Sequence, residues 1–243
     1  MRTALKWIFR LFLLLLAAAL LLILHTLWFK PAKPNWFYER VFMEYGIEDP
    51  QMLSSMRMLP GWMDWYSDDL TDQSLAHEKK MQAKLKQDLA TLQQYDRSSM
   101  NEADALNYDM LEYFLKMQAE GERFARHNYP LNQLFGIQNE YPTFMATQHP
   151  VASVADAENY LARLDKTPLM VDQVMEGLLA REKESILPPT FVVEKVLKEM
   201  RAFVAAEPKQ NILYTSLAEK FTELKNGELS AAQQKLFLDK TET

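Results

Sequence analysis

Three of the four histidines, His77, His127 and His149, lie outside the apolar N-terminal run that contains His25. They are the first candidates for metal or acid–base chemistry, since imidazole serves both roles near neutral pH. His77-Glu78-Lys79-Lys80-Met81 opens like the zinc-peptidase helix element. There, two histidines four residues apart bind the metal from one helix face and the glutamate activates water. Met81 stands where the second histidine belongs, so a solvated, lysine-rich helix face accounts for the dipeptide. The chain has no cysteine, which excludes disulfides, thiolate zinc sites and cysteine nucleophiles. Asp68-Asp69 closes an aromatic, acidic stretch from Trp62, readable as a ligand-stacking platform or as structural packing. No glycine-rich phosphate loop and no Gly-x-Ser-x-Gly element occurs, so no catalytic or metal-binding constellation is complete.

The elements that would position such groups begin with a membrane segment. Leu11 to Phe29 is a nearly unbroken apolar run, and at about 1.5 Å per residue it approaches the hydrocarbon thickness of a bilayer. Arg2, Lys6 and Arg10 precede it without an acid, which keeps the short N-terminus in the cytoplasm. The rival is a cleaved signal peptide, whose core is shorter and ends in small residues. The exit here is Leu27-Trp28-Phe29-Lys30-Pro31, so an uncleaved anchor is expected. The expected lipid partner is the bilayer through residues 11–29, crossed once, with the body facing the periplasm or cell exterior.

Five of the 27 basic residues precede position 34 and none of the 33 acidic ones does. The remainder therefore carries 22 basic against 33 acidic residues, a net of about −11. Such a surface repels phosphate backbones, so nucleic acid is not an expected partner. Six glycines in 243 residues and little β-branched alternation favour helix. The expected organisation is residues 1–33 as cytoplasmic end, anchor and exit, then 34–243 as one helical ectodomain without repeat or internal boundary. The fold class is all-α: a transmembrane helix followed by an irregular multi-helix lobe with one long non-helical segment.

Local signals place the helices. Asn35 caps Trp36–Tyr45, and Asp49-Pro50 opens a helix to about Met58 that Pro60-Gly61 breaks. An amphipathic stripe of Met81, Leu85, Leu89 and Leu92 lies within 74–94. Ser99 with Glu102 forms a capping-box signature for the next helix. Ser153 opens another, Thr167-Pro168 starts a separate one, and Pro188-Pro189 precedes a third, with two weaker helices near 212–225 and from Ser230. Between His127 and Pro150 the chain has three X-Pro steps, many aromatics and no period. Such a segment is a packed loop, either lining a groove or purely structural. Tyr129, Gln133, Tyr141 and His149 are the candidate groove-lining residues.

Several phrases in order resemble a bacterial family catalogued as domain of unknown function 885. They are Ala105–Leu115, Tyr129-Pro130 with Gln133 and Gly136, His149-Pro150, Asp156–Tyr160 with Arg163-Leu164, and Pro188-Pro189 before Val192-Val193. The resemblance spans roughly Trp36 to Leu224. It implies a mostly helical protein similar to zinc metallopeptidases, which are more than twice as long and carry His-Glu-x-x-Pro-Gly-His in their C-terminal half. That element is absent here, and His77-Glu78 departs from it at every remaining fixed position. Zinc is thus implied only for full-length relatives; no cofactor, metal ligand or catalytic residue carries over.

The expectation is a membrane-anchored N-terminal lobe of a zinc-peptidase-like protein, not catalytic by itself, its substrate unspecified. The alternative is a stand-alone periplasmic peptide-binding or scaffold protein. Because the chain stops within an expected helix, a truncated product or fragment is expected. Leu224, Leu229, Leu236, Phe237 and Leu238 would then form an uncovered apolar surface.

Overall fold

The apolar run folds as the first helix, α1 (Arg2–Trp28). Its stretch Lys6–Trp28 is long and apolar enough to cross a membrane, and none of it is buried against the rest of the chain. The computed structural model describes residues 2–57, 59, 61–224 and 228–242. Nine further α-helices follow among them: α2 (Pro34–Ile47), α3 (Pro50–Met56), α4 (Leu75–Leu92), α5 (Glu102–Gly121), α6 (Ile137–Thr147), α7 (Val154–Lys183), α8 (Thr190–Ala205), α9 (Ile212–Glu223) and α10 (Ala231–Glu242). The described residues contain no strand, so the chain is all-α.

Contacts divide the chain into two compact units, one of residues up to 45 with 80–122, the other of 46–79 with 123–243. The division is interleaved along the chain, so no shift in composition marks it. In the first unit Phe37 and Val41 of α2, Leu85 and Leu92 of α4, and Tyr108 and Leu115 of α5 form the core. The exit from α1 is clamped in this unit. Arg40 donates from Nη1 to the carbonyls of Thr26 (2.9 Å) and Phe29 (2.7 Å), and the Tyr95 hydroxyl donates to the Pro31 carbonyl (2.6 Å). The bond to Thr26 satisfies one of the last, orphaned carbonyls of the helix, and the other two hold the chain just past its end. Along α5, Leu106, Met110, Tyr113, Phe114 and Met117 are exposed. At 100° per residue they form a stripe opposite Tyr108 and Leu115.

The second unit buries Tyr141, Phe144 and Met145 of α6, Ala157, Tyr160 and Met170 of α7, Leu217 and Phe221 of α9, and Leu229 and Phe237 beside them. Leu224 and Leu238 are packed on the same core. The expected bare C-terminal surface is therefore corrected. The α10 helix folds back onto α9 and α7, and only Leu236 of the five residues is exposed. Exposed apolar residues of this unit lie elsewhere, among them Val193, Leu197, Met200 and Val204, which form a stripe on α8 beside buried Val192 and Val196.

Four local expectations are also corrected. The segment from Tyr129 to Pro150 is not one non-helical stretch, because α6 occupies its middle with Pro142 inside. A mid-helix proline forfeits one backbone bond, but here burial of Tyr141, Pro142, Phe144 and Met145 holds the helix. The longest run without helix among the described residues is 64–74. Likewise Thr167-Pro168 does not start a new helix, since α7 runs through Pro168. There Thr167 Oγ1 donates to the Arg163 carbonyl (3.2 Å), in the turn the proline disturbs. The cap of α5 is Asn101, accepting from the Asp104 N–H, while Ser99 closes a short 3₁₀ turn. Finally, α2 begins at Pro34 and runs through Gly46. Asp49 caps α3 as expected, with Pro50 as its first residue. Met58 and Pro60, where that helix was expected to end, lie outside the described residues.

Candidate functional site

The second unit holds a cavity of about 640 Å³, within the usual range for small-ligand sites. One wall is α3 and the extended chain after it. Asp49 Oδ1 accepts from both the Met52 N–H (3.0 Å) and the Thr71 hydroxyl (2.6 Å), and Gln51 Oε1 accepts from the Thr71 N–H (3.2 Å). The Gln73 N–H donates to Gln173 Oε1 (3.0 Å), which ties this extended segment to α7. A helix cap is thereby reused to hold an irregular strand of chain in place.

The opposite wall is the 128–136 loop. Asn132 organises it: Oδ1 accepts from the N–H groups of Leu134 (2.9 Å) and Phe135 (2.8 Å), and Nδ2 donates to the Tyr129 carbonyl (3.1 Å). The Tyr129 hydroxyl donates to the Leu187 carbonyl (3.2 Å). Gly136 is needed for close approach, because a Cβ there would stand 2.5 Å from Asn132 N and 2.7 Å from its oxygen. Leu134 and Phe135 stay exposed, Phe135 by 74%, and both line the cavity. Tyr141 and Phe144 of α6, each almost fully buried, close its floor.

Behind the floor lies a charged group with no access to solvent. The Arg163 guanidinium carbon sits 4.8 Å from the Phe144 ring centroid, and the side chain is fully buried. It donates to the Asp69 carbonyl (2.8 Å), Ser54 Oγ (2.7 Å), the Tyr66 and Pro50 carbonyls (3.3 Å each) and His149 Nδ1 (2.7 Å). Because guanidinium only donates, His149 Nδ1 accepts and its proton is on Nε2, which donates to the Asp156 carbonyl (3.1 Å). Burial first, then the Arg163 charge, pushes the His149 imidazole down to about 3. Burial also draws Arg163 down to about 10, opposed by Asp64, Asp68 and Asp69. Lys220 donates to the carbonyls of Met145 (2.7 Å) and His149 (2.6 Å), and burial lowers its ammonium to about 8. This network binds α3, α6, α7 and α9 together; its groups are mutually satisfied and face inward.

Of the four predicted groove residues, Tyr129 and Tyr141 line the cavity. Tyr141 also shares a hydrogen bond with Thr167 Oγ1 (2.6 Å). Gln133 is half-buried in the same loop but is not part of the lining, and His149 is 2% exposed, turned into the Arg163 network. Missed were Gln51, Thr71, Gln73 and Glu140, which line the cavity, and Arg163 behind it. A signal existed for the last: Arg163 occupies the face of α7 that carries Ala157, Tyr160 and Met170, where a charge is costly unless bonded.

The residues present do not fit a zinc site. Among the described residues, no three His, Asp or Glu side chains gather around one point. His77 Nδ1 lies 3.6 Å from Glu48, His127 packs edge-on against Phe124, His149 is occupied by Arg163, and His25 stacks on Phe29 in the apolar helix.

Residues 51–242 match a family described as bacterial protein of unknown function (DUF885). The structure of a protein from Colwellia psychrerythraea, described as a "putative lipoprotein", superposes with a TM-score of 0.71 at 16% identity over 85% of this chain. At that identity the likeness is one of fold. The chain spans 38% of that protein's length. No curated protein matches it.

Proposed function

The chain belongs to the bacterial family of unknown function DUF885, and from that premise we propose that it is a membrane-anchored peptide-holding lobe of a peptidase-like system, without hydrolytic activity of its own. The observation that carries this reading is the lining of the α3–α6 cavity, where Gln51, Thr71, Gln73, Asn128 and Asn139 stand beside Tyr129 and Phe135. Amide side chains both donate and accept, as a peptide backbone requires whatever its sequence. The aromatic rings add apolar contact area. Supporting the anchor are the length of Lys6–Trp28 and the basic residues Lys6 and Arg10 before its apolar core. In this reading α1 spans a bacterial inner membrane once and the helical body faces the periplasm.

The test is fluorescence anisotropy of Ala-Ala-Phe-Ala, labelled at its C-terminus, with the full chain in lipid nanodiscs. Saturable binding, weakened about tenfold by Gln73→Ala with Asn139→Ala, is expected; that is about 1.4 kcal/mol, the scale of one or two hydrogen bonds. Equal binding by the variant, or peptide cleavage that scales with protein concentration, contradicts the reading.

A further inference from the structure

The cavity lining carries two carboxylates, Asp49 and Glu140, and no lysine, arginine or histidine. Asp49 is committed to its cap and to Thr71. Glu140 is different: it sits one turn into α6, exposed, and among the described residues no cation pairs with it. Around the same space stand Tyr129, Phe135, Tyr141 and Phe144. A carboxylate and aromatic rings that line one cavity can together recognise an organic cation, since a ring presents a negative quadrupole face and the acid a full charge. Of the buried cations behind the floor, Arg163 is behind Phe144 and Lys220 is bonded to the Met145 and His149 carbonyls; neither is in the lining, and Asp64, Asp68 and Asp69 offset the Arg163 charge.

Resting on the peptide-holding reading, we infer that the cavity selects a primary ammonium group, with Glu140 as its anion and the Tyr129 and Phe135 rings beside it. Two parts of a peptide supply that chemistry, the free amino terminus and a lysine side chain. The exposed rim at Phe135 admits a chain end, and the amide-lined wall from Gln51 to Gln73 takes the backbone that follows.

The experiment compares three C-terminally labelled peptides on the full chain in zwitterionic nanodiscs: Ala-Ala-Phe-Ala, its N-acetyl form, and N-acetyl-Lys-Ala-Phe-Ala. Acetylation is expected to weaken binding about tenfold, consistent with one charge-assisted contact at a partly exposed site. Glu140→Gln should erase that difference. A check that needs no variant is pH. An α-amine loses its proton near pH 8, so the advantage of the free amine should vanish by pH 9.5. Recovery by the acetylated lysine peptide assigns the ammonium to a side chain, and no recovery assigns it to the amino terminus; either supports the inference. If all three peptides bind equally, the ammonium inference falls and the peptide-holding reading stands. If none binds, the reading beneath it falls.

Discussion

Lowering the pH should unfold the second unit through His149. The ring is 2% exposed, its Nδ1 accepts from Arg163 at 2.7 Å, and its imidazole titrates at about 3. In the unfolded chain the same group titrates near 6.5. A depressed folded-state value means that the unfolded state takes up the proton first. The contribution of neutral His149 is therefore complete above pH 6.5 and is lost as pH falls from 6.5 towards 3. The loss runs at about 1.4 kcal/mol per pH unit, or about 3 kcal/mol by pH 4.5. Carboxylates also titrate in this range, so the difference from His149→Asn is the quantity to measure. Asparagine keeps an acceptor near the Nδ1 position but cannot ionise. It forfeits the edge-on contact with Tyr160, whose ring centroid is 5.2 Å away, and costs about 1–3 kcal/mol at pH 7. Urea unfolding of the full chain in dodecyl maltoside micelles, followed by circular dichroism from pH 7.5 to 4.5, gives both curves. Wild type should lose its advantage as pH falls and converge on or cross below the variant near pH 5. Parallel profiles over the whole range would refute the assignment of a neutral, Arg163-bonded imidazole.

Other perturbations probe the same architecture. Arg163→Met leaves His149 Nδ1 and the Asp69 carbonyl without their side-chain donor, while the Tyr66 and Pro50 carbonyls keep the Asp69 N–H and the Ser54 hydroxyl. It should cost at least about 3 kcal/mol, seen as protease sensitivity of the second unit. Tyr141→Phe removes the bond to Thr167 Oγ1 and the longer one to the Arg163 carbonyl (3.5 Å) and should lower stability by about 1 kcal/mol in the same urea assay. On α8, Val196→Ala at a site 4% exposed should cost about 1–3 kcal/mol, whereas Val204→Ala at 81% exposure should stay within about 0.5 kcal/mol; equal costs would mean that the buried face of α8 is misassigned. A periplasm-dependent reporter enzyme fused after Thr243 should be active in the membrane fraction, and a soluble active product would favour cleavage after α1.

What the sequence made legible follows from how local the signals are. The run from Leu11 to Phe29 and the caps at Asp49 and Ser153 depend on neighbours a few residues away, and the structure has the apolar helix and both caps. Pro142 and Pro168 misled because proline's local cost is fixed, whereas the burial that holds α6 and α7 around them comes from distant residues such as Leu217 and Phe221. The C-terminal leucines misled for the same reason, since only the fold brings α10 onto α7 and α9. At the candidate site, aromatic content pointed to the 129–136 loop, but its facing wall came from Gln51, Thr71 and Gln73, more than 50 residues earlier. His149 resembled a groove residue in sequence because nothing local announces a guanidinium 14 positions ahead.

The central claim, that peptides are held in the α3–α6 cavity, is tested most directly by replacing Phe135 with p-benzoylphenylalanine in the full chain and irradiating it in nanodiscs with Ala-Ala-Phe-Ala. Phe135 is exposed and lines the cavity, so the photoreactive ring should be tolerated there. Covalent peptide adducts at position 135 that saturate with concentration and are competed by unlabelled peptide are predicted. Val204→p-benzoylphenylalanine, on the exposed stripe of α8, should give none. Equal capture at both positions, or capture at position 204 alone, would contradict the account.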